Sequence, residues 1–140
     1  MHRNLLMTAL LALAAPGLTV AADLKIELEG VRAQQGVVKV AVMGSAEAWD
    51  GKAPPAGSAG APPDGDGSLS LDIAGLAPGR YAARVMHDEN GNGKFDTNMV
   101  GMPTEGYGFS NNPRVMRAAT FEEAVFEVPE AGTTITIQLR

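Results

Sequence analysis

In the stretch HDENGNGKFD, residues 87–96, oxygen-bearing side chains recur at alternate positions: Asp88, Asn90 and Asn92, with Asp96 four residues further on. A calcium loop needs oxygens at its first, third and fifth positions, a glycine at the sixth for the sharp turn, a backbone carbonyl at the seventh and a further oxygen at the ninth. With Asp88 first, Asn90 and Asn92 follow in register, Gly93 falls at the turn, Lys94 offers the carbonyl and Asp96 closes the set. The twelfth position, where a helix-loop-helix site carries a bidentate Glu, is Met99, and no helical periodicity flanks the loop. The spacing fits a shorter, nine-residue loop slung between strands. Two of its four side-chain donors are neutral amides, which predicts a calcium dissociation constant on the order of 10⁻⁴ to 10⁻³ M. The same residues also suit an ion-free polar turn, because Asn90-Gly91 and Asn92-Gly93 are both favoured hairpin dipeptides.

Immediately downstream, GMPTEGYGFSNNPR (101–114) is too irregular for a long strand and is expected to fold as a compact loop beside the first. Tyr107 and Phe109 are expected to plug the end of the fold. Glu105, Ser110 and Asn111 place polar atoms near them, and Glu105 is a candidate for one more carboxylate at the ion. Glu105, Tyr107, Phe109, Ser110 and Asn111 together form a candidate ligand surface for a glycan, a peptide or an envelope partner. A rival reading assembles a hydrolase from His87, Asp88, Glu105 and Ser110. GFSNN lacks the strand-turn-helix elbow of the common serine hydrolases, and a lone His at the end of an apolar strand face is a packing residue before it is a base. A third reading is a structural envelope protein with no small ligand.

These loops need a scaffold, and the dominant pattern is alternation with a period of two. Leu24, Ile26 and Leu28 share one face of a strand, as do Val38, Val40 and Val42, and Leu69, Leu71 and Ile73. Tyr81, Ala83, Val85 and His87 follow in a fourth, leaving Arg80, Ala82, Arg84 and Met86 on the other side. Ala124, Phe126 and Val128, then Ile135, Ile137 and Leu139, complete six strands, and NMVG (98–101) is a candidate seventh. Helical spacing competes only around Ser45 to Trp49, where one turn fits. The Pro- and Gly-rich stretch 50–67 is expected to be a mobile surface loop and not a strand, since Pro lacks a ladder donor and Gly has no side chain to bury. Trp49, just before it, is expected to cap an edge of the core, and the Tyr81 hydroxyl to tether a nearby loop. The pattern predicts an all-β, antiparallel sandwich of about seven strands.

The first 22 residues read as a signal peptide: His2 and Arg3, an apolar run from Leu5 to Ala15, breakers at Pro16 and Gly17, then Val20-Ala21-Ala22 before a cleavage at Asp23. The run is about half the length that spans a bilayer. A periplasmic or secreted protein without stable membrane insertion is expected, with residues 23–140 forming one domain. That domain has no cysteine to cross-link it. Without Arg3 it carries ten basic and sixteen acidic residues, a net charge of −6, which excludes a nucleic-acid surface and suits cation binding.

The run GLAPGRYAARVMHDENGNGKFDTNMVGMPTEGYGFSNN, with FEEAVFEV and TITIQL after it, resembles the signature of domain of unknown function 2141, a family of small exported bacterial proteins. The resemblance covers the whole mature chain. It implies an immunoglobulin-like or prealbumin-like sandwich outside the cytoplasm, and no activity, because the family has none assigned. The chain departs from the pattern in MRAAT before FEEA and in the length of the 50–67 segment.

Overall fold

The computed structural model describes residues 20–140, so most of the expected signal peptide lies outside the described residues. The strands in chain order are β1 (Ala22–Glu29), β2 (Val37–Met43), β3 (Gly57–Ala61), β4 (Ser68–Leu76), β5 (Gly79–Asp88), β6 (Tyr107–Phe109), β7 (Val125–Val128) and β8 (Thr133–Gln138). Two single-turn helices interrupt them, α1 (Ala46–Trp49) and α2 (Phe121–Ala124). One sheet has the order β4-β1-β8; the other runs β3-β2-β5-β6, with β7 paired to β5 beyond the end of β6. The two sheets pack face to face, as the alternation predicts.

The shared core is built from the residues the period of two selects. Leu24, Ile26, Leu28, Val38, Val42 and Ile137 are fully buried, and Leu69, Leu71 and Ile73 nearly so. Each such side chain contributes about 1.5–3 kcal/mol by leaving water. Tyr81 lies in the same core and its hydroxyl donates to Ala77 O at 2.6 Å, the expected tether. The pairing is antiparallel except between β1 and β8, which run parallel, β8 returning to the first sheet after β5, β6 and β7 have been laid in the second. One side of the sandwich is closed by main-chain bonds between Tyr107 and Arg140, 3.1 and 2.9 Å.

Four expectations are corrected. Residues 57–61, inside the segment read as a loop, form edge strand β3, paired with β2 from Val42↔Gly57 to Val38↔Ala61. The prolines that argued against a strand, at 54, 55, 62 and 63, bracket it and remove no ladder donor, and a Cβ at Gly57 would stand 2.7 Å from Ile73 Cγ2. Residues 98–101 are the apex of a tight turn and not a strand. FEEAVFEV divides into α2 and β7, because Thr120 and Glu123 form a reciprocal capping box that starts a helical turn. Trp49, Tyr107 and Phe109 do not cap the core or plug an end. They lie on the outer face of the larger sheet, where Trp49 joins a second cluster with Met43, Ala82, Phe121 and Ala124. Gly108 is the reason: it faces the core, where a Cβ would meet Ile137 Cγ2 at 2.8 Å, and so its two aromatic neighbours face outward.

Candidate cation loop and adjoining cavity

β5 carries Asp88 to the rim of the larger sheet, and the chain then turns through 89–96. Asp88 is only 9 % exposed. Its Oδ2 accepts from Gly93 N at 2.9 Å, which fixes the sixth position against the first, and Gly93 takes the positive φ (77°) that this closure demands. The other oxygen, Oδ1, is buried without a hydrogen-bond partner. Asn90 Oδ1 accepts from Asn92 N (3.2 Å) and Asn92 Oδ1 from Lys94 N (2.9 Å), so each alternate side chain folds back on the turn. Both amide nitrogens donate to Asp96: Asn90 Nδ2 to Oδ2 at 2.6 Å, Asn92 Nδ2 to Oδ1 and Oδ2 at 3.0 and 2.8 Å. These bonds, Asn92 first, hold the Asp96 carboxyl below the usual carboxylate range, with a smaller contribution from the Lys94 charge. The loop thus gathers the two carboxamides on the Asp96 carboxylate, while Asp88 is tied to the same turn through Gly93; among the described residues no group of three His, Cys, Asp or Glu forms a metal set.

Glu105 is the staple of this loop. It is 4 % exposed, and its two oxygens accept from Glu89 N (3.1 Å) and Asp96 N (2.9 Å), so one carboxylate closes both ends of the turn. A second brace comes from the β1–β2 connection. Arg32 binds Glu89 through two contacts, 2.7 and 3.1 Å, and donates to Thr104 O at 2.6 Å. That pairing lowers the Glu89 pKa. Gly36, at φ 77°, packs so closely that a Cβ would sit 1.9 Å from Asp88 O. Arg32, Gly36 and Glu89 were not among the sequence candidates. Only Gly36 carried a local signal, a glycine opening a strand.

From Asp96 the chain makes a small hairpin. Thr104 N donates to Asp96 O (3.0 Å), Asn98 N to Met102 O (2.8 Å) and Gly101 N to Asn98 O (3.0 Å), with a bridge between Thr97 and Pro103. Beside it opens a cavity of about 290 Å³ lined by Phe95, Met102, Pro103, Tyr107, Phe109 and Met116, among others. Its aromatic wall continues across the sheet as a chain of ring contacts: Phe95–Tyr107 6.2 Å, Tyr107–Phe109 5.8 Å, Phe109–Trp49 6.0 Å and Trp49–Phe121 6.5 Å between centroids. These are the separations at which tilted and edge-on pairs are favourable.

The remaining candidates are spent on the fold. Ser110 is fully buried; its hydroxyl accepts from Ala83 N at 2.8 Å and donates to Ala124 O. Asn111, at φ 63°, donates to Glu123 O at 3.0 Å. His87 is fully buried with Nε2 donating to Gln35 O at 2.7 Å and Nδ1 unpartnered. Tyr107 and Phe109 reach the cavity, whereas Ser110 and Asn111 do not line it. The sketched hydrolase is therefore not assembled: the Ser110 hydroxyl bonds backbone on β5 and α2 and makes no bond to His87.

A two-sheet sandwich with a polar, twice-braced loop at one rim defines the structural class. The chain belongs to the family of domain of unknown function 2141, described as an uncharacterized protein conserved in bacteria, whose model matches residues 26–136. No curated protein and no solved structure matches it.

Proposed function

We propose that this chain is a non-enzymatic, exported binding module whose 88–96 loop holds a calcium ion. One observation carries the reading: Asp88 is nine-tenths buried, one of its oxygens is engaged by Gly93 N, and the other has no partner. A buried carboxylate oxygen left unsatisfied costs about 1–3 kcal/mol, and a hard cation is its natural complement. Asp88, Asp96, the amide oxygens of Asn90 and Asn92 and the Lys94 carbonyl would hold the ion. An Asx oxygen that already accepts one backbone N–H keeps a second lone pair for it. The amide N–H groups that now neutralise Asp96 would have to yield, which agrees with the modest affinity that the charge count predicts. Calcium in such a site clips a loop and does no chemistry. The neighbouring aromatic and thioether cavity is the surface offered to a glycan, a peptide or an envelope partner.

Thermal melting with millimolar calcium, with magnesium and with chelator tests the ion. Calcium at that level should stabilise the wild type by about 0.4–1.4 kcal/mol, a shift of a few degrees, and leave Asp88→Ala and Asp96→Ala unmoved. A wild-type melting curve indifferent to calcium would end this reading.

A further inference from the structure

We infer that the outer face of the larger sheet carries a second binding site, for a small anionic head group on a short apolar body, with the Arg84 guanidinium as its anchor. It stands apart from the 88–96 loop and its ion. Strand register builds it. Pairing sets Ser58, Ala41, Arg84 and Phe109 in one outward row across β3, β2, β5 and β6, with Gly60, Lys39, Met86 and Tyr107 in the next. Ala41, Ser58 and Gly60 are too small to cover the sheet beside the long side chains of β5. A groove of about 500 Å³ is left there, a volume that suits a small ligand. Val37 and Met86 supply its apolar wall, each 37 % exposed.

Charge says what fills it. The groove is lined by two cations, Arg84 and Lys39, and by no carboxylate. Arg84 is half-buried and stacks on Trp49, its Cζ 4.1 Å from the ring centroid. Among the described residues only its Nη2 is engaged, donating to Trp49 O at 2.5 Å, and Nε is buried with no partner. Neither Arg84 nor Lys39 forms an ion pair among the described residues. Burial lowers the Arg84 pKa and outweighs the opposing charge of Asp50, which lines the neighbouring cavity with Trp49 and Phe121. Asp88 shares with Lys39 a pocket of about 50 Å³ at the foot of the loop and does not line the groove. A guanidinium partly withdrawn from water with donors to spare is costly, and a carboxylate or phosphate is its geometric complement. Lys39, diagonal to Arg84 across β2 and β5, adds a second charge.

The test is an NMR titration of the ¹⁵N-labelled chain in chelator, with octanoate and octyl phosphate as probes and 1-octanol as the uncharged control. The expected result is saturable, millimolar binding of at least one anion that shifts the Lys39, Ser58, Gly60 and Arg84 amides, with 1-octanol about tenfold weaker. The tighter anion identifies the head group as carboxylate or phosphate. Arg84→Gln should weaken binding about tenfold and Lys39→Gln about two- to fivefold. Lys39 is exposed, so its variant decides the matter if Arg84→Gln, which loses the stack on Trp49, does not fold. Octanol binding as tightly as the anions overturns the site, as does undiminished binding by either folded variant. So do shifts confined to the Phe95 and Met102 cavity, or concentration-dependent shifts of the groove amides without ligand, which would make the face a contact between copies.

Discussion

Glu105 and Asp96 are joined side chain to main chain: Glu105 Oε2 accepts from Asp96 N at 2.9 Å while its Oε1 reaches back to Glu89 N at 3.1 Å. The carboxylate expected to be an extra ion ligand thus has both oxygens committed to holding the loop shut. Glu105→Gln keeps the shape but turns an NH2 group toward one of the two N–H donors, leaving it unsatisfied. A loss of about 1–3 kcal/mol in urea or thermal unfolding is expected. A neutral result would mean that the loop closes without this staple.

Gly36 is the second support. A methyl group there would lie 1.9 Å from Asp88 O, and its φ of 77° strains any other residue. Gly36→Ala should cost more than about 2 kcal/mol and weaken the calcium response, because the displaced atom belongs to the first residue of the loop. Gly91→Ala has a similar positive φ, 70°, but open space around the Cβ, and so isolates backbone strain from the clash. If the two variants melt alike, the close approach to Asp88 is not what Gly36 is there for.

Ser110 separates the rival chemistries. Its hydroxyl satisfies Ala83 N in a fully buried position. Ser110→Ala should therefore lower stability by about 1–3 kcal/mol and leave the calcium-dependent shift unchanged. A variant of wild-type stability that had lost a hydrolytic turnover would instead restore Ser110 as a nucleophile.

How much of this was legible follows from what each signal depends on. Alternation located the core because burial on one face is a local, periodic property: every inward residue read from β1, β2 and β4 is buried. The loop donors were equally plain, since their spacing lies within one turn. β3 was hidden because small residues carry no hydrophobic signal, and its strand character comes only from β2 beside it and Ile73 beneath it. The capping box TFEE was readable and outweighed by the alternation around it. The braces from Arg32 and Gly36 join residues more than fifty positions apart, and no spacing rule reaches across that distance. The outward turn of Tyr107 and Phe109 depends on Gly108 meeting Ile137, a contact between strands of different sheets.

Acid stability turns in part on the Arg117–Glu123 pair at the start of α2. Arg117 makes two 2.8 Å contacts with Glu123, and Glu123 also accepts from Thr120 N at 2.9 Å within the capping box. Arg117 first, then the Thr120 N–H, push the Glu123 carboxyl from the usual 4.5 down to about 2. A carboxyl whose pKa is lowered by folding stabilises the fold above its unfolded value and ceases to do so as protons return. The contribution of this pair should therefore be full above about pH 4.5 and disappear as pH falls toward 2. Arg117→Gln should raise the Glu123 pKa and flatten the acid limb of the stability curve in that window: the variant is less stable than the wild type above about pH 4.5, by an amount that solvent screening of this exposed pair keeps small, and the two converge as pH falls toward 2. NMR titration of the Glu123 side chain in the two proteins measures this directly. A Glu123 that titrates in the ordinary range in the wild type would show that Arg117 and the capping box do not hold the charge at the start of α2.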